Sequence, residues 1–145
     1  MQSLTRWSVI VGGSLIGLAA ALILVSALWT GSDQTLAGTQ WHLVTLNGHA
    51  PHPSAEPITL VFESSQQLGG HSSCNSYGGT YTLAGTSLTM TEINSTLRAC
   101  ADQALNDLEA EYFQALQAAV AFELANNQLI LKDPSGSTVL TFLPA

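Results

Sequence analysis

The sequence predicts an α+β protein: a small antiparallel β half-barrel of about seven or eight short strands with one amphipathic helix packed on it, preceded by one N-terminal transmembrane helix. Three observations predict it. From Trp7 to Trp29 the chain carries no charge and is apolar apart from its glycines and Ser8, Ser14 and Ser26. From Leu36 onward, short apolar runs are broken at close intervals by Gly, Asn, Asp and Pro, the punctuation of sheet. One segment alone, Asp102 to Ala119, repeats its apolar residues at helical spacing.

Composition limits the function classes. The chain has 145 residues, 46% hydrophobic and 9% charged, with 3 Lys+Arg against 10 Asp+Glu and a formal net charge of −7. Disordered chains carry more charge and less apolar surface. Three cations cannot neutralise a run of phosphates, so nucleic acid is excluded as a partner. With a membrane segment set aside, about 110 residues remain, enough for one core.

As a helix, the block from Trp7 to Trp29 is about 34 Å long and can cross a hydrocarbon core of about 30 Å. Arg6 and the amino terminus precede it, and the next cation is Arg98, so residues 1–6 are expected in the cytoplasm. Residues 7–29 are then an anchor in the inner (cytoplasmic) membrane, single-pass, with the remainder on the periplasmic or extracytoplasmic side. If Val25-Ser26-Ala27 is cut as a signal site, the product is periplasmic or secreted. No cysteine lies near the block, so N-terminal lipidation is not expected. Trp7 and Trp29 suit the two interfaces, and Gly13 and Gly17, with Ala21 one turn on, offer a route to a weak homodimer. Residues 30–35 form a polar linker, and residues 36–145 the folded domain.

Within that domain Trp41, Leu43 and Thr45 alternate to one face over Thr39 to Leu46, and Asn47-Gly48 closes the strand with a strong turn signal. His49 to Pro57 holds three prolines and reads as a loop. Ile58 to Phe62, Gly69 to Asn75, Thr80 to Leu83, Ser87 to Thr91, Ala121 to Ala125, Gln128 to Lys132 and Thr138 to Phe142 each fit a short strand. Asp102 caps the helix, and Ala101, Leu105, Leu108, Tyr112, Leu116 and Ala119 form its apolar stripe. Tyr81 to Met90 aligns without gaps to Phe122 to Leu131, each reading aromatic-x-Leu, turn, Leu-x-apolar, so two similar hairpins flank the helix.

Leu36-x-Gly38-Thr39-x-Trp41-x-Leu43 with Leu46-Asn47-Gly48, Ser73-Cys74-Asn75 with Gly79-x-Tyr81, Thr96-Leu97-Arg98-Ala99-Cys100 and Leu108-Glu109 together resemble the META domain, also called HslJ-like, over the whole chain after the linker. The resemblance implies a small barrel-like antiparallel sheet with a helix on it, an envelope or secreted location, and roles in heat-shock response and antibiotic tolerance, with no established catalytic site. It marks Gly38, Thr39, Trp41, Asn47, Gly48, Asn75, Gly79, Tyr81, Thr96 and Glu109 as family positions. Many bacterial members are lipoproteins, whereas this chain has a hydrophobic anchor. The glycine that often precedes Cys-Asn is Ser73 here.

Cys74 and Cys100, outside the membrane, meet an oxidising compartment, and an even count favours one disulfide between them. Closing a loop of about 27 residues stabilises by roughly 3.5 kcal/mol on the chain-entropy model. The rival reading, a Cys74 nucleophile with His71 as base, lacks an adjoining Lys or Arg to form the thiolate, and in a strand the two side chains point to opposite faces. His49 and His52 with His42 and His71 could supply metal nitrogens, but their spacing shows no convergence. No Gly-x-Ser-x-Gly elbow or phosphate loop occurs. No enzyme activity, cofactor or metal is expected. The favoured expectation is a non-enzymatic envelope module that binds a protein partner through the His49–Pro57 loop and sheet edges. The alternatives are a carrier holding an apolar molecule beneath the helix, and a thiol or hydrolytic enzyme.

Overall fold

The computed structural model describes residues 35–54 and 56–145. The expected span 7–29, the Gly13 and Gly17 stripe, residues 1–6 and the linker up to residue 34 lie outside the described residues. Among the described residues no helix is long and apolar enough to cross a membrane.

Eight strands and one helix follow in order: β1 (Thr39–Leu46), β2 (Thr59–Phe62), β3 (Gln67–His71), β4 (Ser76–Ala84), β5 (Ser87–Ser95), α1 (Gln103–Ala118), β6 (Ala121–Ala125), β7 (Gln128–Lys132) and β8 (Thr138–Pro144). Each strand pairs antiparallel with the next, and β8 returns to β1 from Trp41↔Pro144 to Leu46↔Leu140, so the sheet closes into a barrel. The sequence predicts an open half-barrel; closure abolishes the exposed edges that such a sheet leaves, and eight strands are just wide enough for side chains to fill the middle. Trp41, Leu60, Phe62, Leu129, Leu131 and Phe142 fill it.

Two irregularities set which residues point inward. The β1–β8 register shifts between Leu43 and Thr45. Leu46, not Thr45, therefore continues the buried face of Trp41 and Leu43. The β4–β5 register shifts between Gly78 and Thr80, where a Cβ on Gly79 would stand 2.7 Å from Ile93 Cδ1 and 2.8 Å from the Thr91 carbonyl oxygen. Glycine is what lets the two backbones approach there.

The expected strand from Gly69 to Asn75 stops at His71. Ser72 to Asn75 instead forms a tight turn in which the Ser72 amide donates to the Asn75 carbonyl at 2.7 Å. Gly69 and Gly70 remain in sheet, and a Cβ on Gly70 would collide with the Thr59 carbonyl oxygen, so β2 and β3 cross closely there. The two hairpins aligned in sequence share a register as well: Tyr81↔Met90 and Leu83↔Leu88 in one, Phe122↔Leu131 and Leu124↔Leu129 in the other.

The ring is thinnest between β5 and β6, which share the single register pair Ser87↔Ala121. Among the described residues no strand pairs with the rest of β5 on that side. The helix packs against β8 and β1. Asp102 caps it through the Ala104 amide at 2.9 Å, and its apolar stripe buries Leu108, Tyr112, Ala115 and Leu116. Phe113 stacks edge-on against Tyr77 at 5.4 Å between ring centroids.

Candidate functional site

Burial is a costly place for polar groups, and Ser72, Ser73 and Asn75 are all buried. They sit in the turn between β3 and β4, under the amino-terminal half of α1, and each is consumed by a hydrogen bond. The Asn75 side chain uses its full capacity. Its amide donates to Glu109 Oε1 at 2.7 Å and to the Arg98 carbonyl at 2.9 Å. Its Oδ1 accepts from Thr96 Oγ1 at 2.7 Å and from the Arg98 amide at 2.9 Å. One side chain thus holds both backbone groups of Arg98, much as a neighbouring strand would.

Glu109 projects from α1 into this cluster, where Ser72 Oγ donates to its Oε2 at 2.5 Å. Ser73 Oγ donates to the Leu105 carbonyl at 2.7 Å, so the residue standing where the family often has glycine supplies a bond to the helix. Cys74 and Cys100 form a disulfide with a Cα–Cα distance of 5.7 Å, tying the turn to the segment that enters α1. The Cys100 amide donates to Asn106 Oδ1 at 3.2 Å. A free thiolate nucleophile at Cys74 is therefore replaced by a bridge, and His71 instead approaches Glu56 at 3.3 Å.

These bonds fix the loop from Thr96 to Cys100 at both ends and in the middle. What the loop displays is apolar and cationic: Leu97 is 96% exposed, and Arg98 is exposed beside it. Lys132 pairs with Glu123 at 2.7 Å. Among the described residues Arg98 pairs with no carboxylate.

Beside the loop, a groove of about 300 Å³ runs between residues 49–52 and α1. Leu46, Ala104 and Leu108 line it with apolar atoms, and His52, Asp107 and Glu111 supply polar ones. Asp107 accepts from Gln103 Nε2 at 2.8 Å and Glu111 from Asn47 Nδ2 at 2.9 Å, both neutral donors. His49 also lines this groove, but His42 lies on β1 and His71 on β3, so the four histidines do not converge.

The other family positions serve the barrel. Gly38 takes a positive φ of 77°, and Thr39 Oγ1 bonds the Leu36 carbonyl while accepting from Trp41 Nε1 at 2.7 Å. Asn47 and Gly48 both take positive φ in the turn after β1. Tyr81 packs edge-on to Phe62 and donates its hydroxyl to the Glu63 carbonyl at 2.9 Å. Sequence reasoning named Ser73 and Tyr112 but missed the hydrogen bonds that Ser72 and Ser73 make to the helix and the pairing of Tyr112 with Tyr77. Tyr112 and Tyr77 hydroxyls meet at 2.6 Å, and the Tyr77 hydroxyl donates a hydrogen bond to the Thr59 carbonyl at 2.8 Å. Burial drives both hydroxyls well above the ordinary tyrosine range; for Tyr77 the bond with Tyr112 acts the other way. Ser72 and Ser73 fell within the strand expected from Gly69 to Asn75, and the available signal was that Ser73 stands where the resemblance often has glycine.

The family model described as "META domain" matches residues 34–145. No curated protein matches the chain. Among solved structures, an NMR structure of a protein from Burkholderia xenovorans is similar at 29% identity and a TM-score of 0.62, over 78% of this chain and 86% of that one. A second NMR structure is similar at 27% identity and a TM-score of 0.59, over 74% of this chain and 90% of that one. A crystal structure of a DUF4847 family protein from Bacteroides vulgatus shares the fold at 19% identity and a TM-score of 0.54, over 78% of this chain and 96% of that one.

Proposed function

The chain belongs to the META domain family, and from that premise we propose that it is a non-enzymatic, membrane-anchored envelope module that works by binding another protein through the loop Thr96–Cys100. The observation that carries this is the investment of buried polar groups in one exposed loop. Asn75, Thr96, Glu109 and the disulfide hold the backbone around Arg98, while Leu97 stands 96% exposed. A loop rigid before binding loses little conformational entropy on docking, which is where much of the cost of association lies. Arginine is enriched among residues that dominate interfaces.

The anchor at 7–29, with the domain on the periplasmic side of the inner membrane, follows from Arg6 and from the uncharged block. The Cys74–Cys100 bridge supports it, since disulfides persist in oxidising compartments. Within the envelope the module would support heat-shock or envelope-stress tolerance, including tolerance to antibiotics, as the family resemblance implies. Two measurements test the reading. A reporter fused to Ala145 should be active only outside the cytoplasm; activity inside the cell would refute the placement. A photo-crosslinker at position 97 in intact cells should capture a specific protein that a crosslinker at exposed Gln114 does not. Equal capture from both sites would remove the loop from the function.

A further inference from the structure

We propose that the protein bound by the loop is a second copy of this chain: Leu97 and Arg98 of one copy seat in the groove between residues 49–52 and α1 of the other, and the reverse contact forms at the same time. This rests on the protein-binding reading and names its partner.

The argument is one of complementarity between two features of one surface. The loop offers an exposed leucine next to a cation without a carboxylate partner among the described residues. The groove offers the converse, apolar atoms from Leu46, Ala104 and Leu108 beside the carboxylates of Asp107 and Glu111. Both carboxylates accept only from neutral amides, so their charge is uncompensated. At about 300 Å³ the groove has room for a leucine side chain and part of a guanidinium. A chain of net charge −7 repels its own kind, and the Arg98 contact is a place where that repulsion is locally reversed.

Placement favours a closed pair. Only Ala101, the helix cap Asp102 and Gln103 separate the loop from Ala104, the first residue of α1 that lines the groove, so knob and groove adjoin along the chain. A two-fold pair uses one self-complementary patch on each copy, with every contact made twice, and needs both halves of the contact close together.

The test is sedimentation equilibrium of the disulfide-bonded full chain in detergent micelles, from about 10 µM to about 1 mM. The wild-type protein should move from the mass of one copy toward two. Arg98→Glu and Glu111→Arg should each shift the midpoint to at least tenfold higher concentration while keeping the wild-type melting temperature. An equimolar mixture of the two variants should recover the dimer, because each contact then regains opposite charges. A wild-type chain that stays monomeric at 1 mM, variants that dimerise as readily as wild type, or a mixture that fails to recover would each overturn the proposal. Dimerisation through the anchor falls in the second of these. If crosslinking at position 97 captures a different protein, this inference fails and the protein-binding reading stands; if it captures nothing specific, both fail.

Discussion

Asn75 is the residue on which the most depends. Its side chain is buried, and its four hydrogen bonds join a turn, a loop and a helix. Asn75→Ala should destabilise the domain by about 3 kcal/mol or more, read from the urea midpoint, because it removes four hydrogen bonds made by one buried side chain at once. Asn75→Asp should be no better, since it replaces the donor facing Glu109 with a second carboxylate. Trp41→Ala should cost about 3–5 kcal/mol, as its indole fills the barrel and its Nε1 is bonded to Thr39. At this scale the sequence was legible where a residue has one job: Trp41 in the core, Asn47-Gly48 in a turn. It was opaque where polar residues meet across distant segments. Nothing local in Ser72-Ser73 says that a helix carbonyl and a glutamate from far along the chain will complete their hydrogen bonding.

Among the elements, β1, β6 and β7 match their expected ranges, and α1 lies within one residue of its expected ends. These are the elements with clear alternation or clear helical period. The strand expected to reach Asn75 failed because apolar and small polar residues gave it a sheet-like pattern, while the hydrogen bond from the Ser72 amide to the Asn75 carbonyl favours the turn. The long β4–β5 hairpin was read too short because Gly78, Gly79 and Glu92 look like breakers; they are the bulge, with Glu92 at a φ of 56°. Gly79→Ala should therefore lower stability by about 2 kcal/mol or more, since its Cβ would strike Ile93 and the Thr91 carbonyl. Helix seating depends on the bridge. Cys100→Ser should lower the melting temperature by about 10 °C, measured by circular dichroism under non-reducing conditions, and loosen the start of α1 first.

Barrel closure was the feature of the whole molecule least visible in the sequence, because it depends on β8 finding β1 across almost the full domain. Locally, an open sheet and a closed one have the same alternation. The tyrosine pair links helix and barrel and gives the molecule a pH limit. Tyr77 and Tyr112 keep their protons in the fold at pH values where unfolded tyrosine, near 10, has lost them. The folded state then binds more protons than the unfolded one, so stability is fully present below about pH 10 and falls as pH rises beyond it. Denaturant midpoints between pH 8 and pH 11.5 should show a plateau and then a decline. Tyr112→Phe should flatten that decline.

The sparse pairing of β5 with β6 has a dynamic consequence. Two main-chain bonds flank it, from the Leu88 amide to Val120 and from the Phe122 amide to Thr86, each 2.9 Å. A cylinder whose staves are zipped along seven joints and merely buttoned at the eighth will breathe there before it melts anywhere else. Deuterium should enter at Leu88 and Phe122 well ahead of Leu43 and Phe142.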